Sequence, residues 1–359
     1  MQSECTQVQF RGQHVHVGID VAKRSWKACV FLGQAFHKQF AQPPDPKAPV
    51  HYLHKNFPGA VYHSVYEAGY FGYWIHEELE RLGVDSMVIN PADVPTTDKE
   101  RRTKTDRVDT AKLGRSLAKG ELHPLYIPKR SALEDRTLVR MRMAFVRKQT
   151  RCKNQIKALL QFYGVQKPDN VPNQQWSRAY LRWLESITFK EESGTIASKA
   201  LLNELLALRT TIADLTRRIR LLARETRYHS QVELLCSVPG ISVRSAITFL
   251  TEVVSVDRFK NLDRLACFVG LVPGEKSGGD TEQNTGLTPR RNTALRYILI
   301  ECAWIARRED PALLNSFTTY CKPMPKSMAI VPIARKLVSR MRFVLKNNQP
   351  YVTGVLSAR

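Results

Sequence analysis

Apolar and polar positions change their spacing twice along this chain of 359 residues. In the first part, short β-rich runs alternate with amphipathic ones. VHVGIDVA and CVFLG, separated by the charged KRSWKA, predict two strands joined by a short turn. AVYHSVYEAG predicts a third strand ending at Glu67, YWIHEELERLG an amphipathic helix closed by Gly83, and VDSMVIN another strand. TDRVDTAKLGRSLAKG predicts a helix stopped by Gly120. Strands alternating with helices imply a central sheet covered by helices.

From about residue 131 the period becomes helical. Residues 133–162 contain neither Pro nor Gly, and place Leu138, Met141, Phe145, Cys152, Ile156 and Leu159 at three- and four-residue steps. Arg140, Arg147, Lys148, Arg151 and Lys157 fall on the opposite face. After QKPDNVPNQQ, a stripe of Leu201, Leu205, Leu208, Ile212, Leu215, Ile219 and Leu222 alternates steps of four and three, the spacing of a coiled coil. A helical hairpin with 133–162 and self-association both satisfy it. Beyond 231, LLCSVPGISVRSAITFLTEV predicts two helices around a tight Pro-Gly turn, and DRFKNLDRLACFVGLVP a short helix ending at Gly270. GEKSGGDTEQNTGLTPRRN reads as a loop, TALRYILIECAWIARRE as an apolar helix and AIVPIARKLVSRMRFVLKNNQP as a basic amphipathic one. The expected division is 1–130, 131–230 and 231–359.

Charge sharpens this picture. The chain carries 55 Lys+Arg against 33 Asp+Glu, a net +22. Residues 1–97 hold 8 basic and 9 acidic residues, whereas residues 98–157 hold 18 and 7. A neutral N-terminal core thus adjoins a strongly basic arm, which points to a nucleic-acid partner. No apolar run reaches the length of a membrane span, and the first residues lack the apolar core of a secretory signal. Seven cysteines with no CxxC pair argue against a disulfide framework or a zinc site and fit a reducing cytoplasm.

Against this basic background stand four carboxylates: Asp20 and Glu67 at strand ends, and Asp106 and Asp109 three apart on one helix face. Like charges on one face repel unless a cation neutralises them. Hard divalent ions such as Mg²⁺ or Mn²⁺ favour oxygen ligands shared with substrate phosphate. Lys104 and Arg107 flank Asp106 as candidate phosphate contacts. Gly240 of the Pro-Gly turn offers backbone N–H at a helix start. Ser277, beside two glycines and near Lys276, Arg290, Arg291 and Arg296, is a candidate nucleophile without a neighbouring His in sequence. Each feature also has a bland reading, as a cap, a solvated face, a helix corner or a turn.

GIDVAK, YEAGYFGYWIHEEL and KTDRVDTAKLGR, followed by SVPGISVRSAITFLTEV and RFKNLDRLACFVGLVPGEKSGGDTEQNTGLTPRRNTALRYIL, together resemble the DEDD-type transposases of the insertion sequence 110 family, which includes the Piv-type DNA invertases. The resemblance implies a RuvC-like (RNase H-like) α/β N-terminal domain, a helical and coiled-coil region, and a mostly α C-terminal transposase domain with a helix-hairpin-helix-like element. It implies a metal-binding tetrad of Asp20, Glu67, Asp106 and Asp109 and a nucleophilic Ser277 that forms a covalent phosphoserine with DNA. Target and donor DNA, a bridge RNA and a homodimer or homotetramer are the implied partners. Ser242, Pro289 and Arg291 depart from the family pattern around the turn and after the serine. A metal-dependent nuclease using water, and a non-catalytic nucleic-acid-binding protein, are the competing readings.

Overall fold

The computed structural model describes residues 10–95, 106–169, 171, 176–278, 281–289 and 291–353, with the side chains of 106–107, 275–278 and 281–285 outside that description. The chain divides into two compact units, Met1–Ile127 and Pro128–Arg359.

The first unit is a mixed five-stranded sheet in the order β3-β2-β1-β4-β5. Its strands are β1 (His14–Asp20), β2 (Trp26–Leu32), β3 (Ala35–Gln42), β4 (Val61–Glu67) and β5 (Asp85–Ile89). β1, β2 and β3 are antiparallel neighbours, whereas β4 lies parallel to both β1 and β5. Helices α1 (Lys47–Asn56) and α2 (Trp74–Arg81) supply the crossovers that parallel pairing requires. The sequence pattern predicts neither β3 nor α1, because FHKQFAQ and KAPVHYLHKN mix polar residues into both periods.

Alternation along the strands separates two faces. Val15, Val17 and Ile19 of β1 and Tyr62 and Tyr66 of β4 join Val50, Leu53, Ile75 and Leu79 in one core. The opposite face carries Val65 and Ile89, covered by Leu113 of α3 (Asp106–Ala118). Here α3 lies directly on β1. A methyl group placed on Gly18 would come within 2.4 Å of the Gly114 nitrogen and 2.5 Å of the Thr110 oxygen. Two glycines thus allow helix and strand backbones to touch.

The second unit is helical: α4 (Arg130–Phe162), α5 (Arg178–Ser186), α6 (Glu192–Leu222), α7 (His229–Cys236), α8 (Val243–Val253), α9 (Leu262–Val269), α10 (Thr293–Glu309), α11 (Pro311–Tyr320) and α12 (Lys326–Asn347). α6 runs back along α4, because Arg142 bonds Thr216 while Cys152 Sγ lies 3.3 Å from the Leu201 carbonyl. The leucine stripe is therefore used in an internal hairpin. Its outer half packs Cys152, Ile156 and Leu160 against Leu202, Leu205 and Leu208. Its inner half, with Val139, Ile219 and Leu222, merges into a large core built on α7, α8, α10 and α12. Two members of the 133–162 stripe shift, with Met141 45% exposed and Leu160 replacing Leu159 in the core, and on α6 Leu202 replaces Leu201. The basic C-terminal helix is also less of a surface element than its charge implies, since Ile330, Ile333, Leu337, Val338, Met341 and Val344 are buried.

The largest departure concerns the stretch read as a loop. It forms a β-hairpin of β6 (Pro273–Gly278) and β7 (Thr281–Leu287). Gly, Thr and charged residues give it no apolar alternation, so periodicity carries no signal there. Among the described residues no helix is long and apolar enough to cross a membrane.

Candidate active site

Asp20 and Glu67 end two adjacent parallel strands. The register runs from His14↔Val61 to Ile19↔Tyr66, so the next residues, Asp20 and Glu67, come level on neighbouring strands. Parallel strands lie about 4.8 Å apart, which brings the two carboxylate-bearing positions side by side. Asp20 is two residues beyond Gly18 and Glu67 two beyond Val65, so both occupy the face that α3 covers. Asp20 is half-buried and Glu67 exposed.

α3 brings the other pair. Thr110 and Leu113 are buried against the sheet, and Asp109 lies one turn before Leu113 on the same side. Gly114 abuts Phe31, whose register partner is His16, while the Thr110 carbonyl lies over Gly18. The helix thus runs antiparallel to β1 and aims its first turn at the Asp20 end. Asp109 is half-buried. Asp106 opens the helix, with its side chain, like that of Arg107, outside the described atoms, and Lys104 lies outside the described residues. Among the described residues no group of three His, Cys, Asp or Glu side chains is gathered closely enough to hold a metal ion. The donor chemistry of these positions, all carboxylate oxygens, suits Mg²⁺ or Mn²⁺ rather than a soft metal. Cys29, beneath α3, is a poor nucleophile, because burial pushes its thiol up to about 11.

The loop after Glu67 is tied down. Ala68 N–H donates to the Ile89 carbonyl at 2.8 Å, and the Tyr66 hydroxyl donates to the Gly72 carbonyl at 3.2 Å. Tyr70 stands 81% exposed beside it, while Trp26 is buried.

Ser277 belongs to the second unit, on β6 opposite Glu282 of β7. Lys276 precedes it with its side chain outside the described atoms, and Arg290 lies outside the described residues. The hairpin closes where Thr288 N–H meets the Val272 carbonyl at 3.1 Å.

Two cations and one backbone N–H expected to meet phosphate have protein partners instead. Arg140 donates Nε and Nη2 to Glu252 at 2.6 and 2.8 Å. Arg296 donates Nη2 to the Thr288 carbonyl at 2.6 Å, and burial and Arg291 lower its pKa. The Gly240 N–H, expected to face a phosphate, donates to Glu309 Oε2 at 2.7 Å. Gly240 itself is required, at φ +81, because a methyl there would sit 2.6 Å from the Cys302 carbonyl. Ser242, the departure in the turn, caps α8 in a reciprocal pair with Ser245. Arg147, Lys148, Arg151 and Lys157 are exposed on α4, and Arg291 is exposed before α10. Lys148 and Lys157 lie over the rings of Phe145 and Trp176 at 4.9 and 6.0 Å.

Comparison with known proteins bears on the family. A family model of DEDD type, described as "Transposase", matches residues 17–165, and "Transposase IS116/IS110/IS902 family" matches residues 232–318. The chain belongs to the IS110 family of DEDD transposases. It is 32% identical over 242 residues to "Putative transposase y4qE" of Sinorhizobium fredii, covering 67% of this chain and 58% of that protein. It is 26% identical over 282 residues to "Transposase for insertion sequence element IS1111A" of Coxiella burnetii, covering 77% and 72%. The mixed α/β sheet of the first unit fits the RuvC-like expectation for such a domain.

Proposed function

We propose that this chain cuts and rejoins the DNA of a mobile element through a covalent link to Ser277. The observation that carries the reading is the level placement of Asp20 and Glu67 at the ends of adjacent parallel strands, with the first turn of α3 aimed at the same end. Asp20, Glu67, Asp106 and Asp109 would hold a divalent ion, which when bound supplies charge stabilisation at a phosphodiester oxygen. Two of these positions lie at the ends of paired strands and two on the first turn of α3, so side-chain rotation would gather them round the ion on binding.

In the first step Ser277 Oγ forms a bond to phosphorus as the DNA P–O bond breaks. The serine proton is given up and the departing DNA oxygen takes one. A free DNA hydroxyl then attacks the phosphoserine, releases Ser277 and restores a DNA linkage. One phosphodiester is exchanged for another, so no nucleoside triphosphate is consumed. Exposed Arg147, Lys148, Arg151 and Lys157 serve as phosphate contacts along α4. The carboxylates and the serine belong to different compact units, in keeping with a site assembled in a homodimer or homotetramer. A bridge RNA that pairs with target and donor DNA completes the proposed complex. Within the second unit, the basic arm of 131–230 and the serine-bearing 231–359 then have separate duties.

The test is covalent trapping. Protein with its copurifying RNA, Mg²⁺ and labelled element-junction DNA is run on a denaturing gel. The expected result is a protein–DNA band that disappears in Ser277→Ala and weakens strongly in Asp20→Ala. Cleaved DNA with no band would replace this reading with a nuclease using water. Salt-sensitive binding without cleavage would mark a binding protein.

A further inference from the structure

Glu252, near the end of α8, is 1% exposed and carries more hydrogen bonds than helix packing needs. Arg140 of α4 grips it with both nitrogens of a fork, at 2.6 and 2.8 Å. Arg136, one turn earlier, donates to the Thr251 and Glu252 carbonyls at 2.9 and 3.4 Å. From the other side, Asn292 Nδ2 donates to Glu252 Oε2 at 2.7 Å. The same Asn292 accepts the Leu295 N–H through Oδ1, capping α10, and its own N–H donates to the Phe268 carbonyl.

Asn292 stands four residues past the point where Thr288 closes the β6–β7 hairpin, and Arg296, one turn into α10, holds the Thr288 carbonyl. One buried carboxylate therefore joins three separate segments: the basic helix, the core helix α8 and the root of the serine hairpin. A buried ion pair is weak evidence for stability, since an apolar replacement often serves as well. Its best-attested use is to fix one arrangement among several.

We infer that Glu252 is a positioning residue for Ser277, locking the root of the serine hairpin to the basic helix α4 through Asn292 and Arg140. This rests on the reading of Ser277 as nucleophile. Arg140, which looks like a phosphate contact from its sequence position, is the clamp on this carboxylate.

Asn292→Ser isolates the link, because serine keeps the capping oxygen for α10 but has no side-chain N–H for Glu252. In the full-length protein with RNA, Mg²⁺ and labelled junction DNA, Asn292→Ser is expected to lower the melting temperature by about 3–6 °C, for one lost hydrogen bond to a buried carboxylate with the cap kept, and to leave DNA affinity within about twofold, since no phosphate contact is removed. The rate of phosphoserine adduct formation is expected to fall about tenfold or more, as misplaced reacting groups do. Glu252→Gln should likewise keep DNA affinity within about twofold, since it removes no phosphate contact, while lowering the adduct rate. Amide hydrogen exchange, followed in parallel, should accelerate in β6 and β7 and not in α7 or α12. An unaltered adduct rate, or faster exchange spread evenly through the second unit, would overturn the inference. If the wild-type protein forms no adduct, the proposed function fails, and exchange alone then decides whether Glu252 anchors the hairpin.

Discussion

Gly18 and Gly114 show how single residues place the candidate site. The close approach of α3 to β1 leaves no room for a side chain on Gly18, where the neighbours are backbone atoms of Gly114 and Thr110. Gly18→Ala is expected to cost about 2 kcal/mol or more by overpacking, read as a lower urea midpoint. Gly114→Ala should cost less, because its nearest neighbour is the edge of the Phe31 ring at 2.7 Å. A second prediction concerns His16, which stacks with His14 and His63 on the same sheet face, with Asp85 bonded to His63 at 2.8 Å. Burial, then His63, lowers the His16 pKa below the usual 6.5. The unfolded chain then binds more protons below about pH 6.5. Stability is therefore full above that pH and declines as pH falls through and below it. His16→Gln should flatten the decline in a pH series of thermal melts. Gly18 lies in a motif visible in the sequence, but the reason it must be glycine is a contact between residues 96 positions apart. For the histidine cluster, alternation tells only that His14 and His16 share one face of β1. Pairing of β1 with β4 makes it a stack.

Among the elements, α4 divides its labour along its length. Toward its start, Asp135 and Val139 face the main core and Arg136 and Arg140 clamp Glu252. Farther along, Arg147, Lys148, Arg151 and Lys157 stay exposed while Cys152 and Ile156 pack on α6. Replacing Arg147, Lys148 and Arg151 together by Ala is expected to reduce the slope of log affinity against log salt by about 2–3, near one per lost phosphate contact. Arg140→Ala should change that slope by much less, since its charge already faces a carboxylate. Titration of DNA binding at several salt concentrations separates the two. Leu205, fully buried between α4 and α6, is expected to cost about 2–5 kcal/mol as Leu205→Ala, seen in chemical denaturation. Both long helices were legible because apolar spacing persists over many turns. The β6–β7 hairpin was not, because its strands carry no apolar face and are held by cross-strand hydrogen bonds and by their anchors at Thr288 and Arg296.

For the whole molecule, the carboxylates and Ser277 reside in separate compact units. If the reacting site joins two copies of the chain, a mixture of Ser277→Ala and Asp20→Ala proteins should regain part of the covalent adduct that neither forms well alone. A mixture no more active than its components would place serine and carboxylates in one copy. The sequence by itself determined the alternation of strands and helices in the first unit, the two long helices, the acidic positions, the basic arm and the family, since these follow from local period, charge and motif. Only the tertiary structure decided that Asp20 and Glu67 come level, because register depends on which strands pair. It also decided which donors are already engaged. Arg140, Arg296 and the Gly240 N–H look alike in sequence to groups awaiting phosphate, yet each meets a protein oxygen brought by a distant segment. Burial of Glu252 among residues more than a hundred positions apart in the chain leaves no local trace, and it is there that packing, not pattern, assigns the partners.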